Sequence, residues 1–435
     1  MKILYIAHRI PYPPNKGDKI RSFNEIKYLS RSHDIHLACL ADDPADLKYK
    51  QDLGKYCSRV CVAPLNRTAS KLKSMFSLLL RKPLSVAYFY SPSLQRTIDR
   101  WLAAENYDAV ICFSSPMAEY IFRSILRMLG LARNPQLIMD FCDLDSDKWL
   151  QYSQQSRFPL NLVYRMENER LFEYEKRVNR FFDHSLFVAK QEADLLLCRH
   201  PEARNITIVP NGIDHEYFSP DVLQPNPPRH AKAGPLLLFT GAMDYHANID
   251  GVTWFADHIF PLIKQRFAGA EFYVVGSNPH ESVLKLQQRD GVKVTGFVED
   301  IRPYYQAADI CVVPLRLARG VQNKVLEAMS MAKPVVATAK ANQGITAESG
   351  IHLLIEDTPQ DFADAVSNLF SDPKRAEALG TNARQFVTES YDWTVNLRRL
   401  EILLNTERVS PLGTSGPANE SHCSSATPVH LEQTA

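Results

Sequence analysis

Ile310-Cys-Val-Val313-Pro314-Leu-Arg316-Leu-Ala-Arg319-Gly320-Val-Gln-Asn-Lys324-Val-Leu-Glu327-Ala-Met-Ser-Met-Ala-Lys-Pro334-Val-Val-Ala-Thr338 carries the organisation of the chain in miniature. A short β-branched run, 310–313, reads as a buried strand and stops at Pro314. A loop follows as far as Gly320, then a helix bearing Lys324 and Glu327, then a second apolar run from Pro334 to Thr338. Short apolar strands alternating with helices make a parallel sheet covered on both faces.

The same stretch has the makings of a phosphate seat. Glycine lets a ligand approach the backbone closely, and a helix N-terminus carries roughly half a positive charge. Lys324 and Glu327 are three residues apart and share a helix face. The lysine is placed to meet phosphate, and the glutamate, one turn deeper, to accept from two ribose hydroxyls. The plainer alternative is a surface Lys–Glu pair worth about 0.2–0.5 kcal/mol. The apolar neighbours Leu326, Ala328 and Met329 argue against mere solvent decoration.

Outward from this unit the pattern repeats. Leu236–Thr240, Glu271–Val275 and Val292–Thr295 are further strands of the second half. Ile3–Ala7, Ile35–Leu40, Ala109–Phe113, Gln136–Asp140, His184–Ala189 and Ile206–Pro210 are those of the first. Pro225, Pro227, Pro228 and Pro235 crowd residues 221–235, which read as a linker. The expected domains are 1–205 and 206–390, followed by a helix over 391–408 and a disordered tail, 409–435. Two doubly wound halves leave a cleft between the carboxyl ends of their sheets, where such folds bind ligands.

Composition narrows the function. Net charge is +1 over 435 residues, so nothing global points to nucleic acid. The 8 cysteines form no CxxC pair or zinc-like array and read as buried thiols in a reducing compartment. No run of about 18 apolar residues exists, and Met1–Ala7 is too short for a signal peptide, so a cytoplasmic protein is expected.

Several segments together resemble family 4 glycosyltransferases, a retaining group with the GT-B fold. Val209-Pro-Asn-Gly-Ile-Asp214 with Phe218 and Pro220, Thr240-Gly-Ala-Met, Gly296–Asp309 and the 316–338 stretch are similar to that family's motifs, in order. Around Pro11–Arg21 and Asp140–Trp149 the chain looks most like sugar transferases of bacterial exopolysaccharide and PEP-CTERM/exosortase systems. The resemblance implies an α/β GT-B fold, two Rossmann-like doubly wound domains facing a central cleft. It also implies a nucleotide-sugar donor, a glycan or lipid-linked acceptor, retention and no metal ion.

The family pattern departs here at two places. Its first glutamate is replaced by Arg319, and the Arg and Lys that usually follow the donor-domain glycine are absent from Gly241–Asn248. A metal-free leaving diphosphate needs at least one full cation nearby. Lys324 is therefore the expected catalytic cation, with Arg316 and Arg319 as helpers. Gly17, Gly241, Asn248, Gly320 and Glu327 complete the expected donor site. On the acceptor side the expectation is Asp143 as a catalytic or positioning carboxylate, with His8, Lys19, Arg21, Asp140 and Asp145 around it. An Asx-turn or helix cap is the simpler account of each aspartate, and of Asp18 after Gly17.

Residues 67–82 hold Arg67, Lys71, Lys73, Arg81 and Lys82 with no acid, interleaved with Met75, Phe76 and three leucines. They read either as an amphipathic helix on an anionic membrane or as a packed helix with a solvated face. Two other functions fit parts of the sequence. One is a GT-B nucleotide-sugar epimerase; the other is a non-catalytic sugar-nucleotide-binding scaffold.

Overall fold

The computed structural model describes residues 1–14, 17–128, 134–222, 234–318 and 320–406. Thirteen strands form two sheets among them. The first contains β1 (Lys2–Ala7), β2 (Asp34–Ala41), β3 (Arg59–Pro64), β4 (Ala109–Phe113), β5 (Gln136–Cys142), β6 (His184–Phe187) and β7 (Ile206–Ile208), in the order β3-β2-β1-β4-β5-β6-β7. The second contains β8 (Leu236–Thr240), β9 (Glu271–Val275), β10 (Val292–Gly296), β11 (Ile310–Val313), β12 (Val335–Ala337) and β13 (Leu354–Ile355), in the order β10-β9-β8-β11-β12-β13. Every ladder is parallel. This is the GT-B architecture.

Alternation along each strand divides the core. Leu4 and Ile6 enter one apolar layer of the first half, while Ile3, Tyr5 and Ala7 enter the layer on the opposite face. A third core fills the second half. Strand order reverses beside β1 and β4 in one sheet and beside β8 and β11 in the other, and crevices open at such switch points.

The expected boundary between 205 and 206 falls too early. β7 pairs with β6 through Ser185 and Ile206, so it completes the first sheet. The expected linker lies largely, at 223–233, outside the described residues, as does the expected tail 409–435. The closing helix is Trp393–Asn405, and Trp393, Leu397, Leu400 and Leu404 bury themselves in the first half's core.

Val209–Asp214 is the joint. Val209 is buried in the first half's core and Ile213 in the second's. A Cβ on Gly212 would come within 2.7 Å of the Trp393 ring, so only glycine lets the closing helix lie on this backbone.

Candidate functional site

In the second half, three of the expected donor residues meet. Gly241 leaves β8 at φ +152°, and a Cβ there would lie 2.7 Å from Asn248 Nδ2 and 3.2 Å from Lys324 Cε. Lys324 Nζ donates to Asn248 Oδ1 at 2.9 Å, and Asn248 Nδ2 donates to the Ala242 carbonyl at 2.8 Å. The ammonium also sits over the Phe239 ring, 5.2 Å from its centroid. Burial pushes Lys324 down to about 8, against the pull of Glu327. Its charge is thus poorly compensated until an anion arrives.

Glu327 is held by Tyr305, whose hydroxyl donates to Oε2 at 2.8 Å and lies 2.7 Å from Thr240 Oγ1. Burial raises the Glu327 carboxyl, opposed by Tyr305 and Lys324. Tyr305 escaped the sequence reading because it lies 22 residues upstream, on the helix Arg302–Ala307. Arg316 is drawn aside. Its Nε donates to Asp250 Oδ2 at 3.0 Å and its guanidinium also grips Oδ1. Arg319 lies outside the described residues.

In the first half, charged groups gather below the carboxyl ends of β1 and β5. Arg21 is buried; its Nε donates to Asp140 Oδ2 at 2.7 Å, and Nη1 to the Val209 carbonyl and to Asn211 Oδ1. Glu25 faces the same guanidinium at 3.1 Å and accepts from the Tyr5 hydroxyl at 2.6 Å. Burial raises Glu25 strongly, and Asp140 adds to it against Arg21. Two carboxyl groups thus crowd one buried guanidinium. Asp140 is wholly buried in this cluster, beneath the cleft. Lys19 also turns away; its ammonium is buried against Asp46 Oδ2 at 2.7 Å.

Above this layer His8 Nε2 lies 3.2 Å from Asp18 Oδ2, and Arg9 Nη1 donates to the same oxygen at 2.6 Å. Burial would raise Asp18, but His8 and Arg9 outweigh it and hold the carboxyl well below the usual range. Asp18 is thus held between His8 and Arg9 rather than acting only as a cap. His8 stacks on Phe113, with centroids 5.8 Å apart.

A cavity of about 400 Å³ lies between the halves. His8, Gly17, Arg21, Asp143 and Asp145 line it from the first half; Gly320, Val321 and Asn323 line it from the second. A Cβ on Gly320 would come within 3.5 Å of Asp143 Oδ1, so the facing walls nearly touch there. The N-termini of the helices Gly17–Leu29, Asp145–Gln155 and Asn323–Ser330 all reach the cavity. Their converging dipoles favour an anion. Backbone strain marks the same place. Ser114 at φ +77° and Cys142 at φ +60° follow and end two adjacent strands and line the cavity.

Sequence reading missed Arg9, Ser114, Lys148, Trp149 and Asn211 on this wall. Ser114 carried a usable signal, since it directly follows the apolar run of β4. Among the described residues no group of three or more His, Cys, Asp or Glu is arranged to hold a metal ion.

Several known proteins are similar to this chain. Residues 234–372 match the family model "Glycosyl transferases group 1". Over 406 residues the chain is 25% identical to the Klebsiella pneumoniae "Uncharacterized 44.6 kDa protein in cps region", covering 90% of this chain and 96% of that protein. It is 31% identical over 151 residues to a GDP-mannose-dependent alpha-(1-6)-phosphatidylinositol monomannoside mannosyltransferase of Mycobacterium tuberculosis, covering 31% of this chain and 38% of that one. Sucrose-phosphate synthase from Thermosynechococcus elongatus shares the fold, with TM-score 0.65 and 18% identity over 93% of this chain and 98% of that one. The chain is a glycosyltransferase of GT-B fold, and residues 234–372 of its second half are similar to group 1 glycosyl transferases.

Proposed function

We propose that the chain moves a sugar from a nucleotide-sugar donor to a glycan or lipid-linked acceptor in bacterial exopolysaccharide or cell-envelope polysaccharide synthesis. It belongs, on this reading, with the retaining family 4 sugar transferases of PEP-CTERM/exosortase-type systems. The observation that carries the reading is the Gly241–Asn248–Lys324 cradle beside Glu327. Two relatives support it, one from a cps region and one that is GDP-mannose-dependent and acts on a phosphatidylinositol mannoside.

Lys324 and the N-terminus of Asn323–Ser330 face the donor diphosphate, and Glu327 accepts from the ribose hydroxyls. Arg316 and Arg319 are the nearest further cations in sequence. The acceptor hydroxyl attacks the anomeric carbon as the bond to the diphosphate breaks. The departing phosphate oxygen takes the hydroxyl proton, so the sugar is delivered on the face the leaving group vacates. No metal ion is needed, because Lys324 and the helix dipoles meet the developing charge. Asp143 orients the acceptor from the opposite wall. The enzyme works in the cytoplasm, peripherally on the inner face of the membrane.

A mass-spectrometric screen of nucleotide-sugars, with and without lipid-linked acceptors, tests this. Transfer or slow donor hydrolysis is expected. Exchange at C2 would make the protein an epimerase, and binding without turnover a scaffold.

A further inference from the structure

The helix Arg67–Leu79 is built inside out. Ser70 and Ser77 are buried and Ser74 is half-buried. Ser74 Oγ donates to the Ser70 carbonyl at 2.8 Å and reaches the Leu84 carbonyl at 3.2 Å, and Ser77 Oγ donates to the Ser74 carbonyl at 2.6 Å. Leu72, Met75 and Phe76 point the other way, 55%, 65% and 67% exposed, and Leu80 just beyond the helix is 69% exposed. Spacings of three and four place these side chains on one face. A helix on a water-soluble surface puts that face inward.

The charge around the face has one sign. Between 67 and 82 there are five basic residues and no acid. Lys73 is occupied by the Tyr90 carbonyl and Arg67 reaches Asp42. Lys71, Arg81 and Lys82 are exposed and form no ion pair among the described residues.

The helix Leu160–Phe181 packs beside it. Its Arg170 donates to the Leu78 carbonyl at 3.0 Å, and its Glu167 accepts from the amides of Leu84 and Ser85. About 10–15 Å from Glu167, at its start, Phe158 and Leu160 are 80% and 53% exposed, with Leu162 close behind. Ser85 and Phe89, a few residues after the first helix, line the cavity between the halves.

We propose that this face docks on an anionic lipid bilayer. Its apolar side chains enter the headgroup boundary while Lys71, Arg81 and Lys82 meet lipid phosphates. Docking there brings the acceptor wall of the cavity to the bilayer surface, where a lipid-linked acceptor lies. The inference names the surface behind the peripheral location and rests on that reading for its biological sense. Vesicle binding is nevertheless scored apart from sugar transfer.

The test is co-sedimentation of the full chain with vesicles of phosphatidylglycerol and phosphatidylcholine, against phosphatidylcholine alone. Binding to the anionic vesicles only, weakening with salt, is the expected result. The double variant Met75→Ser/Phe76→Ser should bind at least about tenfold more weakly. Its urea midpoint and its donor hydrolysis without lipid should match those of the parent. No binding of the folded parent to anionic vesicles overturns the proposal, as does equal binding by the double variant. A dimer in solution that the double variant converts to monomer also overturns it, since a second copy would then be what covers the face.

Discussion

Lys324 shows how one side chain ties the fold to the chemistry. It stands partly buried between Asn248 and Phe239, and burial has lowered its pKa to about 8. A donor diphosphate would restore the charge and raise that value. Binding above pH 8 must then take up a proton, so donor affinity should fall as pH rises through 8, by up to about tenfold per unit. The stability linkage has the opposite sign. Between about 8 and the ordinary lysine value the unfolded chain holds more protons, so this group adds stability as pH rises there. Calorimetry in buffers of different ionisation enthalpy would detect the proton, and pH-independent donor affinity would remove Lys324 from the site. Lys324→Ala should cost on the order of 10²–10³ in transfer rate with the urea transition intact. Near-normal turnover in that variant refutes the role. The lysine was legible because helix periodicity pairs it with Glu327. Tyr305 was not, because its link to Glu327 exists only once two separate segments fold together. Nor could periodicity reveal that Lys19 and Asp140 turn inward to Asp46 and Arg21.

At the scale of elements, the turns after β8 and β11 make one unit although those strands end far apart in sequence, at Thr240 and Val313. Gly241 is its tightest point. A methyl there would press on Asn248 Nδ2 and Lys324 Cε, both ends of side chains that can give way. The positive φ adds strain of about 1–3 kcal/mol. Gly241→Ala should therefore leave a folded protein with a modestly lower urea midpoint but a donor KM raised about tenfold or more, because the cradle opens. An unchanged KM would show that the cradle does not hold the donor. The strands on either side were readable because buried parallel strands are continuous apolar runs. Two of the four edge strands, β3 and β13, were not. β3 ends in Pro64 and is only partly buried, and β13 has two residues, so neither presents the run that identifies a buried strand.

The whole molecule is two sheets facing a cleft, joined by the Val209–Asp214 segment and by a returning helix. Trp393 packs on Gly212, and Leu397, Leu400 and Leu404 fill the first half's core. Polar ties follow the same path. Tyr28 donates to Glu401 at 2.5 Å, Gln136 to the Leu403 carbonyl at 3.0 Å, and Arg399 to that of Ile208 at 3.0 Å. The family resemblance suggested a terminal helix that crosses back, but the joint at Val209–Asp214 needed the structure. There the VPNGID segment proves to hold the halves together, with Asn211 on Arg21 and Ile213 in the second core. Because residues 393–405 complete a core whose strands end 185 or more positions earlier, the first half cannot be fully stable without them. Trp393→Ala should lower its stability by about 3–5 kcal/mol, through lost contacts and the cavity left over Gly212. The second half keeps its own core and should melt later, so one urea transition would split into two. The variant should also lose transfer more than donor binding, since His8, Asp143 and Asp145, the wall proposed to face the acceptor, belong to the weakened half. A single transition at the parental midpoint would mean that the joint does not depend on this ring, and that the halves are held by the facing walls of the cleft instead.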